Sequence, residues 1–262
     1  MFEPPVVISL WGHQILLHSI LEAAGIFLGA RYYWYLRRKQ NEKMEMIASL
    51  AVLVGATFGA YFGSHILGAL ENIPEWIATT DKLEYLLFNK TLVGGLLGGL
   101  IGVEGMKKLI GEKRSTGDLF VFPLLLAIII GRIGCFSAGI LEQTYGLPTT
   151  LPWGMDLGDH IPRHPVALYE VFYLLLIWLV LGYIQRRYPL RPGALFKLFM
   201  IFYLSFRFFL DFIKPGWRFA GGMGSIQLAC LLGLMYYGKY ILDVKKLLLK
   251  RNGISDKKSS SI

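Results

Sequence analysis

The chain is poor in charge and in cysteine. Asp, Glu, Lys and Arg make up only 17% of its 262 residues, against roughly 25% in an ordinary soluble domain. That shortage excludes a charge-rich disordered chain and a water-soluble enzyme. Its two cysteines, Cys135 and Cys230, both fall inside apolar runs, which argues against a disulfide framework or a zinc site. Met1–Pro5 carries no basic group, and no small-residue cleavage motif follows, so no cleavable leader is expected. No cluster of metal-ligating residue types recurs at ligand spacing, and neither metal nor organic cofactor is expected.

What is abundant is apolar sequence. Hydrophobic residues make up 54% of the chain, its mean hydropathy is +0.49, and the apolar residues come in long blocks. A helix crosses a hydrocarbon core of about 30 Å with roughly 20 residues. Seven blocks meet that need, approximately 13–36, 46–69, 91–110, 119–137, 165–185, 193–212 and 223–244. They predict an all-α membrane protein with seven transmembrane helices, folded as one integral membrane domain over 1–262. Two connections, 71–90 and 138–163, are long enough to carry structure of their own. Within the first, Pro74–Phe88 mixes Trp76, Ile77, Leu83, Leu86 and Leu87 with charges, as a helix lying on the interface would. The tail Ile254–Ile262 reads as disordered.

The basic residues orient these spans. Nineteen of the 27 Lys and Arg lie in alternate connections and the C-terminal tail, among them Arg37, Arg38, Lys39, Lys43, Lys107, Lys108, Lys113, Arg114, Arg186, Arg187, Arg191 and Lys197. The opposite side holds five: Lys82, Lys90, Arg163, Lys214 and Arg218. Positive connections stay cytoplasmic, which places the N-terminus and segments 71–90 and 138–163 outside and the C-terminus in the cytoplasm. The net charge of +9 is thereby accounted for by topology, and no nucleic-acid partner is expected.

Three basic residues remain inside the blocks. Arg31 lies near a cytoplasmic end among Tyr32, Tyr33, Trp34 and Tyr35, where it can snorkel. Arg132 and Arg207 lie toward outer ends. An arginine in hydrocarbon costs at least about 2.5–3.5 kcal/mol and is normally paired or turned to a polar cavity. Asp211 follows Arg207 by four residues on the same helical face, so the two could neutralise each other or share a site. Glu22 and Glu170 lie in blocks too, and His18 with Glu22 forms a second pair at helical spacing. A carboxylate beside an imidazole orients it as a proton acceptor; a polar contact between helices would look the same. His65 has no acidic neighbour at helical spacing and reads as packing. Arginines in a cavity open to the outer side suit an anionic lipid, since guanidinium grips phosphate bidentately and keeps its proton.

Four motifs run through the chain in order: GRIGCFSAG at Gly131–Gly139, RHPVALYE at Arg163–Glu170, FRFFLDF at Phe206–Phe212 and SIQ at Ser225–Gln227. With the opening FEPPVVISLWG and the glycine run TLVGGLLGG, they resemble the phosphatidylglycerol–prolipoprotein diacylglyceryl transferases from about Phe2 to Tyr240. That resemblance implies an enzyme of the bacterial cytoplasmic (inner) membrane that moves a diacylglyceryl group from phosphatidylglycerol to the lipobox cysteine of a prolipoprotein, whose signal peptide it must accept. It implies a catalytic or lipid-binding role for Arg132 and Arg207, with Gly134 and Gly139 in the arginine's motif, Gly94 and Gly95 in the glycine run, and Tyr169, Glu170, Asp211 and Gln227 at substrate. Tyr145, in the ordered and lid-like segment LEQTYGLPTTLPWGMDLGDHIP, is added to that set. For the base, His164 in the matched motif is the first expectation and His18 with Glu22 the substitute.

The chain also departs from the family pattern. Val93 stands where the family has the histidine usually assigned to catalysis, Cys135 and Ala138 replace asparagines, and Ile140 replaces a glutamate. Either the base has moved or the reaction differs. Two alternatives follow, a related transferase with another acceptor and a phospholipid-binding or translocating protein without catalysis.

Overall fold

A computed structural model describes residues 4–10, 12–40 and 45–249; the tail Ile254–Ile262 lies outside them. The chain opens with a hairpin of β1 (Val7–Leu10) and β2 (His13–Leu16), with Val7 opposite Leu16. Nine α-helices follow among the described residues: α1 (Leu17–Lys39), α2 (Met46–Ala69), α3 (Ile73–Ala78), α4 (Lys82–Phe88), α5 (Leu92–Ile110), α6 (Val121–Ala138), α7 (Val166–Arg187), α8 (Ala194–Leu210) and α9 (Ser225–Ile241). A second hairpin, β3 (Met155–Asp156) and β4 (Pro162–Arg163), stands between α6 and α7.

Each apolar block holds one long helix. The first starts at Leu17 rather than 13, because His13–Leu16 is taken up by pairing with Val7–Leu10. The expected single interfacial helix over Pro74–Phe88 is instead two, α3 and α4. Asp81 ends the break between them by accepting from the Glu84 amide at 3.0 Å, a helix N-cap. Lys82 closes α3 by donating to the carbonyls of Ile77 and Thr79 at 2.6 and 2.8 Å. Helix starts and stops elsewhere follow local chemistry. The Thr91 hydroxyl caps α5 through the Gly94 amide at 3.2 Å, and Gly111 ends it with φ +72°. Pro165 immediately precedes α7.

Three helical stretches are long and apolar enough to cross a membrane: Met46–Ala78, Gly117–Leu141 and Val166–Arg187. A fourth arises if α4 and α5, which meet at 91°, count as one bent span. Helices α8 and α9 have 17 residues each, roughly 25 Å at 1.5 Å per residue. Large apolar side chains face outward on α2, α7 and α9, including Phe58, Phe62, Phe172, Leu179, Leu232 and Met235. This is the surface of a membrane protein.

Helix α1 lies along α6, α2 along α5, and α7, α8 and α9 complete the bundle around a core that includes Leu125, Leu174, Phe199, Tyr203 and Ile226. Both hairpins gather at the C-terminal end of α6. Val6 donates to the Ser137 carbonyl at 2.8 Å and Ile140 to the Leu157 carbonyl at 3.0 Å. The segment after α6 is thus ordered, as its turn-rich composition implied.

Candidate active site

A cavity of about 1170 Å³ opens among the helices, walled by residues of α1 to α9. On one side stand the buried charges. Arg132 on α6 places Nε 2.9 Å from Glu170 Oε2, and Arg207 on α8 approaches the same oxygen at 3.9 Å. The other Glu170 oxygen accepts the Tyr203 hydroxyl at 2.6 Å. Glu170 on α7 is 1% exposed and Arg207 5%, so one carboxylate sits between two guanidinium groups in a place that water scarcely reaches. Arg207 also pairs with Asp211 at 3.7 Å, the contact foreseen from their spacing. Both of its ion pairs are longer than a hydrogen bond, and its Nε is buried without a partner among the described residues. A guanidinium carries five N–H donors in a fixed fork, so Arg207 has donors to offer an anion. Arg132 also reaches the Cys135 sulfur at 3.6 Å.

Another part of the wall carries a second network. His18 Nε2 lies 3.1 Å from Glu142 and 3.6 Å from Glu22, and Lys90 binds the other Glu22 oxygen at 2.6 Å. Beside Arg207, Lys214 is buried and pairs with Glu71 at 3.5 Å. Burial and the positive Arg207 hold its ammonium below the usual lysine range. Among the described residues, no group of three or more His, Cys, Asp or Glu could hold a metal ion.

Arg132, Arg207, Glu170, His18, Glu22 and Gly95 line the cavity together. His164 does not; its Nδ1 is 3.2 Å from the Tyr169 hydroxyl, which also accepts from Trp153 Nε1 at 2.9 Å. That trio fastens the segment after α6 onto α7. Tyr145 is likewise off the wall, with the Arg163 guanidinium 5.1 Å over its ring. Gln227 is fully buried; its Oε1 accepts from the Gly224 amide at 2.8 Å and from Arg218 at 3.1 Å, which ties down the turn between α8 and α9. Gly94, Gly134 and Gly139 are places of close packing. A Cβ on Gly94 would strike the Gly63 carbonyl, one on Gly134 would crowd His18, and Gly139 turns the chain at φ +61° against Leu157 and Pro4. These glycines are used where a side chain would not fit. Asp211 is on the small cleft beside the cavity rather than on the main wall.

Four residues of the site escaped the sequence reading: Glu142, Lys90, Tyr203 and His65. The partners of the first three lie on other helices, far along the chain. His65 lines the cavity and bonds the Leu86 and Asn89 carbonyls, which a search for acidic neighbours could not find.

Bundle and site together define a membrane protein with an arginine-walled interior cavity. The prolipoprotein diacylglyceryl transferase family model matches residues 5–242, and the chain belongs to that family. It is similar to the phosphatidylglycerol–prolipoprotein diacylglyceryl transferase of Finegoldia magna, 29% identical over 234 residues that cover 86% of this chain and 90% of that one. A protein of the same name from Nitratidesulfovibrio vulgaris is 30% identical over 270 residues, 91% of this chain and 93% of its own. The one from Clostridium tetani is 28% identical over 250 residues, 92% and 98%.

Proposed function

We propose that this protein transfers a diacylglyceryl group from phosphatidylglycerol to the lipobox cysteine thiol of a prolipoprotein, at the outer face of the bacterial cytoplasmic membrane. Family membership and the names of its relatives support the donor and acceptor. The observation that carries the mechanism is the pair of arginines on one carboxylate, with Arg207 donors unspent beside a cavity of about 1170 Å³.

The chemistry is a displacement. The acceptor sulfur bonds to the terminal glycerol carbon of the diacylglyceryl group, and the carbon–oxygen bond to phosphate breaks, releasing glycerol phosphate with the electron pair. The departing phosphate gains negative charge, which fixed cations stabilise more in a dry cavity than in water. Arg132 and Arg207 form that clamp, Glu170 and Asp211 hold them in place, and Tyr203 fixes Glu170. His18 lies at the same end, beside Cys135 and Arg132, with its Nε2 turned to the Glu22 and Glu142 carboxylates. His164 is removed from the wall and carries no step. Gly95 lies on the wall, where an added Cβ would make only ordinary contacts, with Ser64 at 3.6 Å and Ala60 at 3.7 Å.

The same reading takes all seven long helices as spans, with the N-terminus outside and the C-terminus in the cytoplasm. One integral membrane domain with 71–90 and 138–163 at the outer face follows from it. The distribution of Lys and Arg supports that orientation.

The test is mass spectrometry of the purified protein incubated with phosphatidylglycerol and a lipobox-cysteine peptide. The peptide gains a diacylglyceryl mass and glycerol phosphate appears in equal amount. Glycerol phosphate without modified peptide would move the proposal to another acceptor, a reading favoured only by the buried Val93, 1% exposed, at the place of the family histidine. No product from folded, lipid-loaded protein would leave lipid binding or translocation instead of transfer.

A further inference from the structure

We infer that His65 is the general base that takes the proton from the acceptor thiol, an assignment that rests on the transferase reading above. His65 stands on α2, half-buried, on the wall of the cavity that Arg132 and Arg207 also line. Its Nδ1 lies 3.0 Å from the Leu86 carbonyl oxygen and 3.1 Å from that of Asn89. A carbonyl oxygen can only accept, so Nδ1 carries a hydrogen and donates it to this pair. The neutral ring then keeps its lone pair on Nε2, which has no protein hydrogen bond among the described residues. The Tyr61 ring, edge-on with centroids 4.5 Å apart, holds the plane of the imidazole. A tautomer fixed through one nitrogen with the other left basic is how a protein prepares a histidine to accept a proton.

The other histidines lack that arrangement. Nε2 of His18 faces the Glu142 and Glu22 carboxylates, which only accept, so that nitrogen carries hydrogen. Its Nδ1 is buried against α6, where a Cβ added to Gly134 would lie 3.3 Å away. His164 is off the wall, His160 is 96% exposed on the β3–β4 turn, and His13 is exposed on β2. The two imidazoles of the cavity are therefore set up in opposite senses. His65 presents a lone pair and His18 a hydrogen. The thiol proton moves to His65 Nε2, the sulfur forms its bond to carbon, and the carbon–oxygen electron pair leaves with glycerol phosphate at the arginine end.

The experiment measures single-turnover transfer to a lipobox-cysteine peptide by the full-length protein in phosphatidylglycerol-containing micelles. In His65→Asn, the amide nitrogen can still donate to Leu86 and Asn89, but no basic lone pair remains. The expected result is a rate loss of about 10²-fold or more, with the same half-saturating phosphatidylglycerol and the same melting temperature as wild type. In His65→Gly, added imidazole should restore a saturable part of the rate. His65→Asn working within about threefold of wild type overturns the assignment. So does a loss in both variants that imidazole leaves untouched, which would make His65 a tether for the 86–89 turn. An inactive wild type overturns the transferase reading itself, and this assignment with it; an active wild type with an active His65→Asn overturns this assignment alone.

Discussion

The two walls of the cavity are held together in opposite ways. Helices α2 and α5 meet through their backbones. Gly55, Gly59 and Gly63 recur every four residues on one, Gly94, Gly98 and Gly102 on the other, and a Cβ on any of them would strike the facing helix. Helices α6, α7 and α8 meet through large and charged side chains instead, with Arg132, Glu170, Tyr203 and Arg207 interlocked at their centre. Lipid is as apolar as leucine, so burial drives neither contact. The first wall gains van der Waals contact through small residues, and the second gains a pairing that no lipid could offer its charges. The backbone wall therefore tolerates no added atom, and the charged wall tolerates no lost charge.

The largest expected effect comes from breaking the charged wall at its middle. Glu170→Ala leaves two buried guanidinium groups without their shared carboxylate. Removing one partner of a buried pair costs about 3–5 kcal/mol, so thermal unfolding in detergent should show a large drop in melting temperature together with loss of transfer. An unchanged melting temperature would show that cavity water, not Glu170, neutralises the arginines. Arg132→Lys separates charge from shape. It keeps the positive charge but loses the planar fork, and transfer should fall about 10²-fold while the fold survives. A lysine variant with normal turnover would reduce the clamp to a point charge.

The backbone wall is next. In Gly98→Ala the new Cβ would collide with the Gly59 carbonyl and lie 2.8 Å from the Gly63 Cα, and α5 must move off α2. Overpacking of this kind costs about 1–3 kcal/mol. Gly105→Ala, on the same helix with nothing within 4 Å of the new Cβ, is the internal control. There the helix propensity of alanine should leave stability equal or raise it by up to about 1 kcal/mol. Equal destabilisation by both variants would mean that the glycines serve something other than the α2–α5 contact.

These walls were not equally legible in the sequence. All seven long helices show as apolar runs, because hydrophobic length needs no partner to be recognised. Arg207 and Asp211 could be paired from their spacing, and Arg132 and Glu170 could be singled out as charges where charge is expensive. The bonds that join them could not. Glu142 reaches His18 from beyond the end of α6, and His65 is tied to two backbone carbonyls 21 and 24 residues away, contacts that exist only after the helices pack. The glycines misled in the other direction. Gly94, Gly134 and Gly139 stand in motifs that look chemical, and their demand is steric. His164 was drawn toward the site by its motif, while Tyr169 and Trp153 hold it on the segment behind the wall.

A third kind of joint tests whether the contrast is complete, and it carries the smallest expected effect. Helix α8 begins after Gly193, which turns the chain at φ +82° and has no side chain to cap the helix start. Asp118, in the turn before α6, supplies one across the bundle. Its oxygens accept from the Gly193 amide at 2.6 Å and the Phe196 amide at 2.9 Å. A carboxylate there satisfies amides with no partner inside the helix and meets the positive end of the helix dipole. This joint mixes the two walls, a charge on one side and bare backbone on the other. Asp118→Ala should cost about 0.5–2 kcal/mol, the usual range for a lost cap. Asp118→Asn, which keeps one acceptor oxygen, should lose less. Transfer should be unaffected in both, since Asp118 is not on the cavity wall. A loss as large as that of Glu170→Ala would mean that the start of α8 sets the position of Arg207, and that the charged wall is fixed from its far end as well as from Glu170.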